Sequence, residues 1–367
     1  MKHVDEFRSS EAAQALVTSL RRRSHTPVRL MEFCGGHTVS VFRHGLRQLM
    51  PETVTLVSGP GCPVCVTANA DLDRAIAFSR IDGAIVTTFG DMFKVPGSRG
   101  SLQQAKAEGA DIRMVYSTLD ALAIARENPD RPVIFLGIGF ETTAPTVAAS
   151  VVSAKEEGLT NYFIHSMHKV CPPILEAILS SGTVNLQGLI CPGHVSVITG
   201  AKIWAPIAEK WKIPCVVAGF EPVDILQAVD MLTAQVEEGH PRVEIAYSRG
   251  VTWEGNVHAQ RLLDRVFEPA PADWRGVGVV PDSGLRLRGE FAAHEAEAAF
   301  DVDPGPTIEQ QGCICGEILL GTATPADCKL FRTKCTPETP VGPCMVSSEG
   351  SCSAWYKYQP HKSEPGP

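Results

Sequence analysis

The chain has 367 residues, of which 44% are hydrophobic, 20% charged and 7% aromatic, with a formal net charge of −8. That balance excludes a disordered chain and a phosphate-backbone binder, which need low hydrophobicity or a strongly basic surface. The longest apolar run, Val133 to Phe140, falls short of the ~20 residues of a membrane helix, and Met1 to Glu11 has no apolar signal core, so a soluble, cytoplasmic protein is expected.

In chain order, an N-terminal helix is expected over Ser10 to Arg22. A buried strand then opens at Val28 and runs into the glycine loop Cys34-Gly-Gly-His37, followed by a helix. The strand Val54 to Val57 precedes Gly59-Pro-Gly-Cys-Pro-Val-Cys65, with helical sequence from Ala68 through Leu72 to Phe78. Ile81 to Val86 leads into the loop Phe89 to Gly97, and Ile112 to Tyr116 is followed by Leu119 to Leu122.

The pattern then starts again. Val133 to Thr143 repeats Val28 to Thr38, Leu186 to Cys191 repeats Ile81 to Val86, and Cys215 to Ala218 with Pro222 to Ile225 repeats Ile112 to Tyr116 with Leu119 to Leu122. Alternating β-branched runs and amphipathic stretches mark parallel α/β units. The expected fold class is therefore α/β, with two similar parallel-sheet lobes related by internal duplication, over 28–130 and 131–245. A smaller cysteine-rich domain combines 1–27 with 246–367. In it Pro269 to Pro271 reads as a linker and Phe291 to Phe300 as a helix, with the first helix packed alongside. Open α/β sheets bind ligands at the carboxyl ends of their strands, so the functional loops should face the crevice between the lobes.

Twelve cysteines in a chain with no secretory leader point to metal, iron–sulfur or thiol chemistry rather than structural disulfides. The tail runs Cys328-x6-Cys335-x8-Cys344-x7-Cys352. Structural zinc favours tight cysteine knuckles, and none occurs among these four, so the wide loops favour an iron–sulfur cluster with zinc as the competitor. Cys313 and Cys315 bring the candidates for four ligand positions to six. Such a turn-rich tail buries little apolar area, and a metal centre would staple it.

Cys62 and Cys65 are placed near a helix N-terminus, where thiolate is favoured, so they read as a redox pair, with half a zinc site as the alternative. In Cys34-Gly-Gly-His37 a soft thiolate stands where backbone can approach a bound group, with imidazole as a second ligand or proton donor. His165, His168 and Cys171 read as core or loop residues more than as a metal site, given Pro172 and Pro173. Asp91, Glu141, His194 and Glu221 fall on strand-end loops, where capping explains Asp91 and Glu141 equally well.

These residues carry a resemblance. Phe33-Cys-Gly-Gly-His37, Gly59-Pro-Gly-Cys-Pro-Val-Cys65, Phe89-Gly-Asp-Met92 and Gly139-Phe-Glu-Thr-Thr-Ala-Pro145 match the hydrogenase maturation factor HypD family. So do Pro192-Gly-His-Val-Ser196, Val217-Ala-Gly-Phe-Glu-Pro222, Cys335-Thr-Pro337 and Gly342-Pro-Cys-Met-Val-Ser-Ser-Glu-Gly-Ser-Cys352. The chain resembles that family in order over nearly its full length.

The resemblance implies a cytoplasmic scaffold on which the iron of [NiFe]-hydrogenase receives cyanide and carbon monoxide. It implies work in complex with the small chaperone HypC, with cyanide delivered by HypE and HypF acting upstream, and a [4Fe–4S] cluster beside two α/β domains. Carried over, Cys34 becomes a ligand of the iron being assembled and His37 its neighbour. Cys62 and Cys65 become a redox dithiol, and Cys328, Cys335, Cys344 and Cys352 the cluster ligands, with Cys313 and Cys315 leaving that choice open. Cys171, Cys191 and Cys215 match no family motif and are read as structural. Two other readings stand beside this one: a cluster-dependent protein disulfide reductase, and a zinc-stapled scaffold. No nucleic-acid or membrane partner is expected.

Overall fold

The computed structural model describes residues 5–359; residues 1–4 and 360–367, part of the expected third domain, lie outside the described residues. Its strands are β1 (Val28–Glu32), β2 (Val54–Ser58), β3 (Ile85–Thr88), β4 (Asp111–Met114), β5 (Val133–Gly137) and β6 (Tyr162–Ser166). They continue with β7 (Gly188–Pro192), β8 (Cys215–Ala218), β9 (Val243–Ile245), β10 (Phe267–Trp274) and β11 (Gly278–Leu287). β3, β5, β7 and β8 are buried at every position, as expected of parallel strands covered by helices on both faces.

Two parallel sheets form, but the strands do not divide at residue 130. One sheet has the order β2-β1-β7-β8-β9 and the other β4-β3-β5-β6. β1 carries β2 on one side, with Val28 opposite Val54, and β7 on the other, with Leu30 opposite Gly188. β5 likewise carries β6, with Val133 opposite Tyr162, and β3, with Val133 opposite Ile85. The five-stranded sheet thus takes β1 and β2 from 28–130 and β7, β8 and β9 from 131–245, and the four-stranded sheet takes two strands from each. The expected contiguous lobes, 28–130 and 131–245, give way to two sheets that each mix strands from both segments, with β2-β1-β7-β8 of one in the same order as β6-β5-β3-β4 of the other. Only strand order across long crossovers is at stake, and local sequence does not encode that.

Three further expectations change. The helix Ser10–Arg23, capped by the Ser9 hydroxyl, packs on the helix Pro222–Glu238 of the five-stranded sheet, not beside the tail. Pro269 to Pro271 lies inside β10, which pairs antiparallel with β11; a register shift between Ala270 and Ala272 relieves the ladder there, where proline is tolerated at a bulge. Phe291 to Phe300 splits into a 3-10 turn, Gly289–His294, and the short helix Ala296–Ala299. Burial of Phe291, the 2.8 Å contact of His294 Nδ1 with the Tyr162 carbonyl, and capture of the Leu287 N–H by the Glu295 carboxylate hold that break.

The tail joins the main core. Ile318, Leu319 and Met345 are buried in one cluster with Phe33, Leu72, Leu136, Leu189, Trp204 and Trp274. The hairpin ties in as well: Trp274 Nε1 donates to Ser283 Oγ (2.8 Å), and the Val170 N–H to the Ser283 carbonyl (2.9 Å). No helix among the described residues is long and apolar enough to cross a membrane.

Candidate metal and thiol centre

β1 and β2 end side by side, and the two loops that follow build the site. Cys34 caps the helix Gly35–Arg43, and Cys62 caps the short helix Pro63–Val66. The Gly59 N–H donates to the Glu32 carbonyl (2.9 Å) and the Gly35 N–H to the Gly61 carbonyl (3.3 Å). The approach is so close that a Cβ on Gly61 would lie 2.4 Å from the Cys34 Cα and N. Only glycine allows it.

Cys34 keeps a partly exposed surface while its sulfur lies inside. Burial, then the Glu349 carboxylate, and more weakly Glu32, push its thiol up to about 12 against the opposing N–H groups of Gly36 and His37. Without a cation to replace its proton, this sulfur is a thiol at neutral pH.

His37 is fully buried, with Nε2 lying 2.9 Å from the Gly219 carbonyl and 3.3 Å from that of Ala218. Both carbonyls accept, so Nε2 carries the proton and Nδ1 is left as a bare lone pair, buried without a partner. Burial holds the imidazole down at about 4, so it is neutral. Its ring stacks on Phe220 at 4.6 Å, and Phe220 also meets the His194 ring at 3.9 Å.

Cys62 and Cys65 are joined as a disulfide. Cys62 Sγ also accepts the Cys65 N–H (3.2 Å) and contacts Ser347 Oγ at 3.4 Å. Ser347 belongs to the tail, and the helix Pro63–Val66 packs on the tail helices Cys315–Leu319 and Pro343–Val346.

Behind that contact the tail thiols converge. Cys315 lies beside both Cys313 and Cys344, and Cys344 beside Cys352, a mutual arrangement that sets their acidities apart, with Cys315 pulled down and Cys344 pushed up. Cys335 takes the Val341 N–H at 3.4 Å and lies within electrostatic reach of Cys352 and Cys328. Cys328 is the more open of the two. All six tail cysteines therefore gather in one region. No metal-sized arrangement of three His, Cys, Asp or Glu groups occurs among the described residues. The donor set, all soft thiols with four of the six buried, fits an iron–sulfur or zinc centre in chemistry.

The other candidates separate. Glu141 is buried and takes the Cys171 N–H (2.8 Å) and thiol (3.2 Å) on its two oxygens. His165 Nδ1 lies 3.1 Å from Glu297 and His168 Nδ1 3.1 Å from Ser166 Oγ, so these histidines and Cys171 form no common site. Cys191 and Cys215 are buried in mutual thiol contact on adjacent strands. Glu221 pairs with Arg8, and Asp91 is exposed on its turn.

Sequence reasoning passed over Glu349, Phe220, Ser347 and Glu32. Glu349 is the one carboxylate in the stretch Gly342 to Cys352, a signal that was there to read. Glu32 is wholly buried, with Arg47, Thr38 and Ser58 facing it and neither oxygen in a well-formed hydrogen bond; burial raises its pKa to about 7. Nothing in the pattern Val28 to Phe33 separates it from a surface-facing strand residue.

Comparison with known proteins gives one answer. The HypD family model, described as the hydrogenase formation hypA family, matches residues 11–359. The chain is 46% identical over 367 residues to the hydrogenase maturation factor HypD of Azotobacter vinelandii, covering 98% of this chain and 97% of that protein. Against the protein of the same name from Cupriavidus necator it is 45% identical over 375 residues, covering 100% and 99%. Against that of Escherichia coli K12 it is 43% identical over 372 residues, covering 99% and 100%.

Proposed function

This chain belongs to the HypD family of hydrogenase maturation factors, and on that premise we propose that it is the cytoplasmic scaffold on which the iron of [NiFe]-hydrogenase acquires its cyanide and carbon monoxide ligands. The reading places it in complex with the small chaperone HypC and has it receive cyanide from HypE, which is charged with the help of HypF. Its two sheets are read as one duplicated unit whose halves have exchanged.

The observation that carries the reading is the contiguity of three thiol groups. The loop of Cys62 and Cys65 lies against Cys34 on one side and, through Ser347 and the helix Pro63–Val66, against the tail cysteines on the other. Cys34 supplies a soft thiolate to the iron, and the lone pair of His37 Nδ1 is kept free by the carbonyls that hold Nε2. Binding of the iron displaces the Cys34 proton, which offsets the penalty that burial and Glu349 impose on the thiolate.

Release of cyanide from a thiocyanate consumes two electrons and one proton and leaves a thiol and cyanide. Cys62 and Cys65, as a dithiol, yield two electrons and two protons on closing the disulfide that the structure holds. The cysteines Cys328, Cys335, Cys344 and Cys352, with Cys313 and Cys315 adjoining, would hold a [4Fe–4S] cluster, a one-electron store for resetting that pair.

Mössbauer spectroscopy of iron-57-enriched protein, co-expressed with its small chaperone and isolated without oxygen, tests the reading. Cubane signals with a separate low-spin iron are expected. Cubane signals alone, with the partner donors present, would turn the reading to a disulfide reductase, and protein without iron would leave a zinc scaffold.

A further inference from the structure

Between Cys328 and Cys335 the chain carries Lys329, Arg332 and Lys334 and no acid, in a protein with 41 acidic and 33 basic side chains. The segment is a tight loop: the Phe331 N–H bonds the Cys328 carbonyl (3.0 Å), Cys335 N–H the Leu330 carbonyl (2.8 Å), and Arg332 N–H the Cys335 carbonyl (3.2 Å). The Arg332 guanidinium donates to the carbonyls of Trp355, Tyr356 and Gln359, pinning the loop to the end of the helix Ser351–Tyr358. A guanidinium at those terminal carbonyls is favoured by their partial negative charge.

With Arg332 committed inward, Lys329 and Lys334 are exposed, and Lys357 of the adjoining helix is exposed as well. None of the three makes an ion pair among the described residues, whereas the lysines Lys155, Lys202 and Lys210 elsewhere on this surface are paired with glutamates. The lysines therefore present positive charge that no carboxylate contacts, on a support that Arg332 pins, with exposed Asp327 and Glu338 the acids nearest in sequence. Lys329 adjoins Cys328, a partly exposed tail thiol, and Lys334 adjoins Cys335.

We propose that this face docks a small acidic one-electron carrier protein of the ferredoxin type. The inference rests on the reading of the tail as a redox centre. A centre built from buried thiols takes electrons where its ligands come near the surface, and of the two partly exposed tail thiols, Cys313 and Cys328, the second is the one beside the lysines. A lysine-rimmed loop in an otherwise acidic protein steers an acidic partner to that spot and repels it elsewhere. In each encounter one electron leaves the reduced carrier, which becomes oxidised, and enters the thiolate-bound centre, with no bond made or broken.

The test uses the cluster-containing protein and a plant-type two-iron ferredoxin. Binding of the oxidised ferredoxin is measured by calorimetry and reduction by the reduced form by stopped flow, each at low and physiological ionic strength. We expect binding and rate to fall steeply with salt, the double variant Lys329→Glu/Lys334→Glu to weaken both by tenfold or more at low salt, and Lys329→Gln/Lys334→Gln to fall between. Iron content and reduction by dithionite, which needs no docking face, should be unchanged in both variants and so report intact folding. A cluster that dithionite reduces, paired with ferredoxin binding that ignores the charge reversal, overturns this proposal alone. Equal binding of a basic carrier such as cytochrome c also overturns it. Protein that carries no cluster overturns it together with the functional reading.

Discussion

β1 and β5 occupy matching places in the two sheets, and their carboxyl ends differ in one respect that matters. After β1 come Cys34, two glycines and His37, and here a free thiol meets only the N–H groups of Gly36 and His37 while His37 Nδ1 is buried without a partner. After β5 come Gly139, Phe140, Glu141 and Thr142, and here the buried carboxylate is spent. Glu141 is taken up by Cys171, Thr143 Oγ1 donates to the Ile138 carbonyl (3.2 Å), and Gly139 adopts a φ of 139° that packs it against Thr143. The backbone frame is shared, so frame alone does not make a site. Chemistry is placed where the fold leaves donor atoms unsatisfied at a known cost, and the matching end is closed by hydrogen bonds.

The largest effect that would break this comparison is at Cys34. Cys34→Ser is expected to abolish the cyanide-bearing iron while the tail cluster and the fold persist, read by infrared and Mössbauer spectra of the chaperone complex; iron retained in full would refute the ligand assignment. Next comes Gly61→Ala. Its methyl group would meet Cys34 backbone at 2.4 Å, so a loss of about 1–3 kcal/mol in urea unfolding is expected, as for overpacked interiors, together with weakened iron retention.

At the closed end, Glu141→Ala should cost about 1–3 kcal/mol by stranding the Cys171 N–H and thiol, with iron loading per folded molecule unchanged. Lost loading at full stability would show that the two ends are not divided as described.

Smaller effects appear in pH dependence. His37 is held down at about 4 against 6.5 in the open chain, so the unfolded chain binds more protons between these values and stability falls as pH drops through that window. His168, held at about 3 by burial and Lys169, adds to the same slope. Glu32 is raised from 4.5 to about 7, so its contribution is full below 4.5 and is lost as pH rises towards 7. The slopes oppose one another between pH 4.5 and 6.5, each up to about 1.4 kcal/mol per pH unit. Urea midpoints across that window should rise more steeply with pH in Glu32→Gln and less steeply in His37→Gln.

Much of this was legible in the residues. β-branched runs ending in glycine loops announced the parallel strands, and the motif cysteines fell on strand ends and in the tail as their context implied. What escaped was long-range. The pairing of β1 with β7 rather than β3 depends on crossovers whose length fits either arrangement. The approach of Glu349 to Cys34 spans most of the chain, and the burial of Glu32 is set by Arg47 and Ser58 from other elements. Pro269 misled because a bulge gave proline a place in a strand.

The exchange of strands has a consequence for synthesis. The sheet that holds Cys34 starts with β1 at Val28 and is completed by β9 at Ile245, while the four-stranded sheet closes wholly within that interval. A chain emerging from the ribosome can therefore finish the second sheet first, with the paired β1 and β2 waiting for β7. Contacts of such sequence separation form slowly. The Cys34 loop, which leans on Gly219 and Glu349 from late in the chain, is thus among the last parts to take shape, and a fragment cut near residue 130 would leave both sheets incomplete.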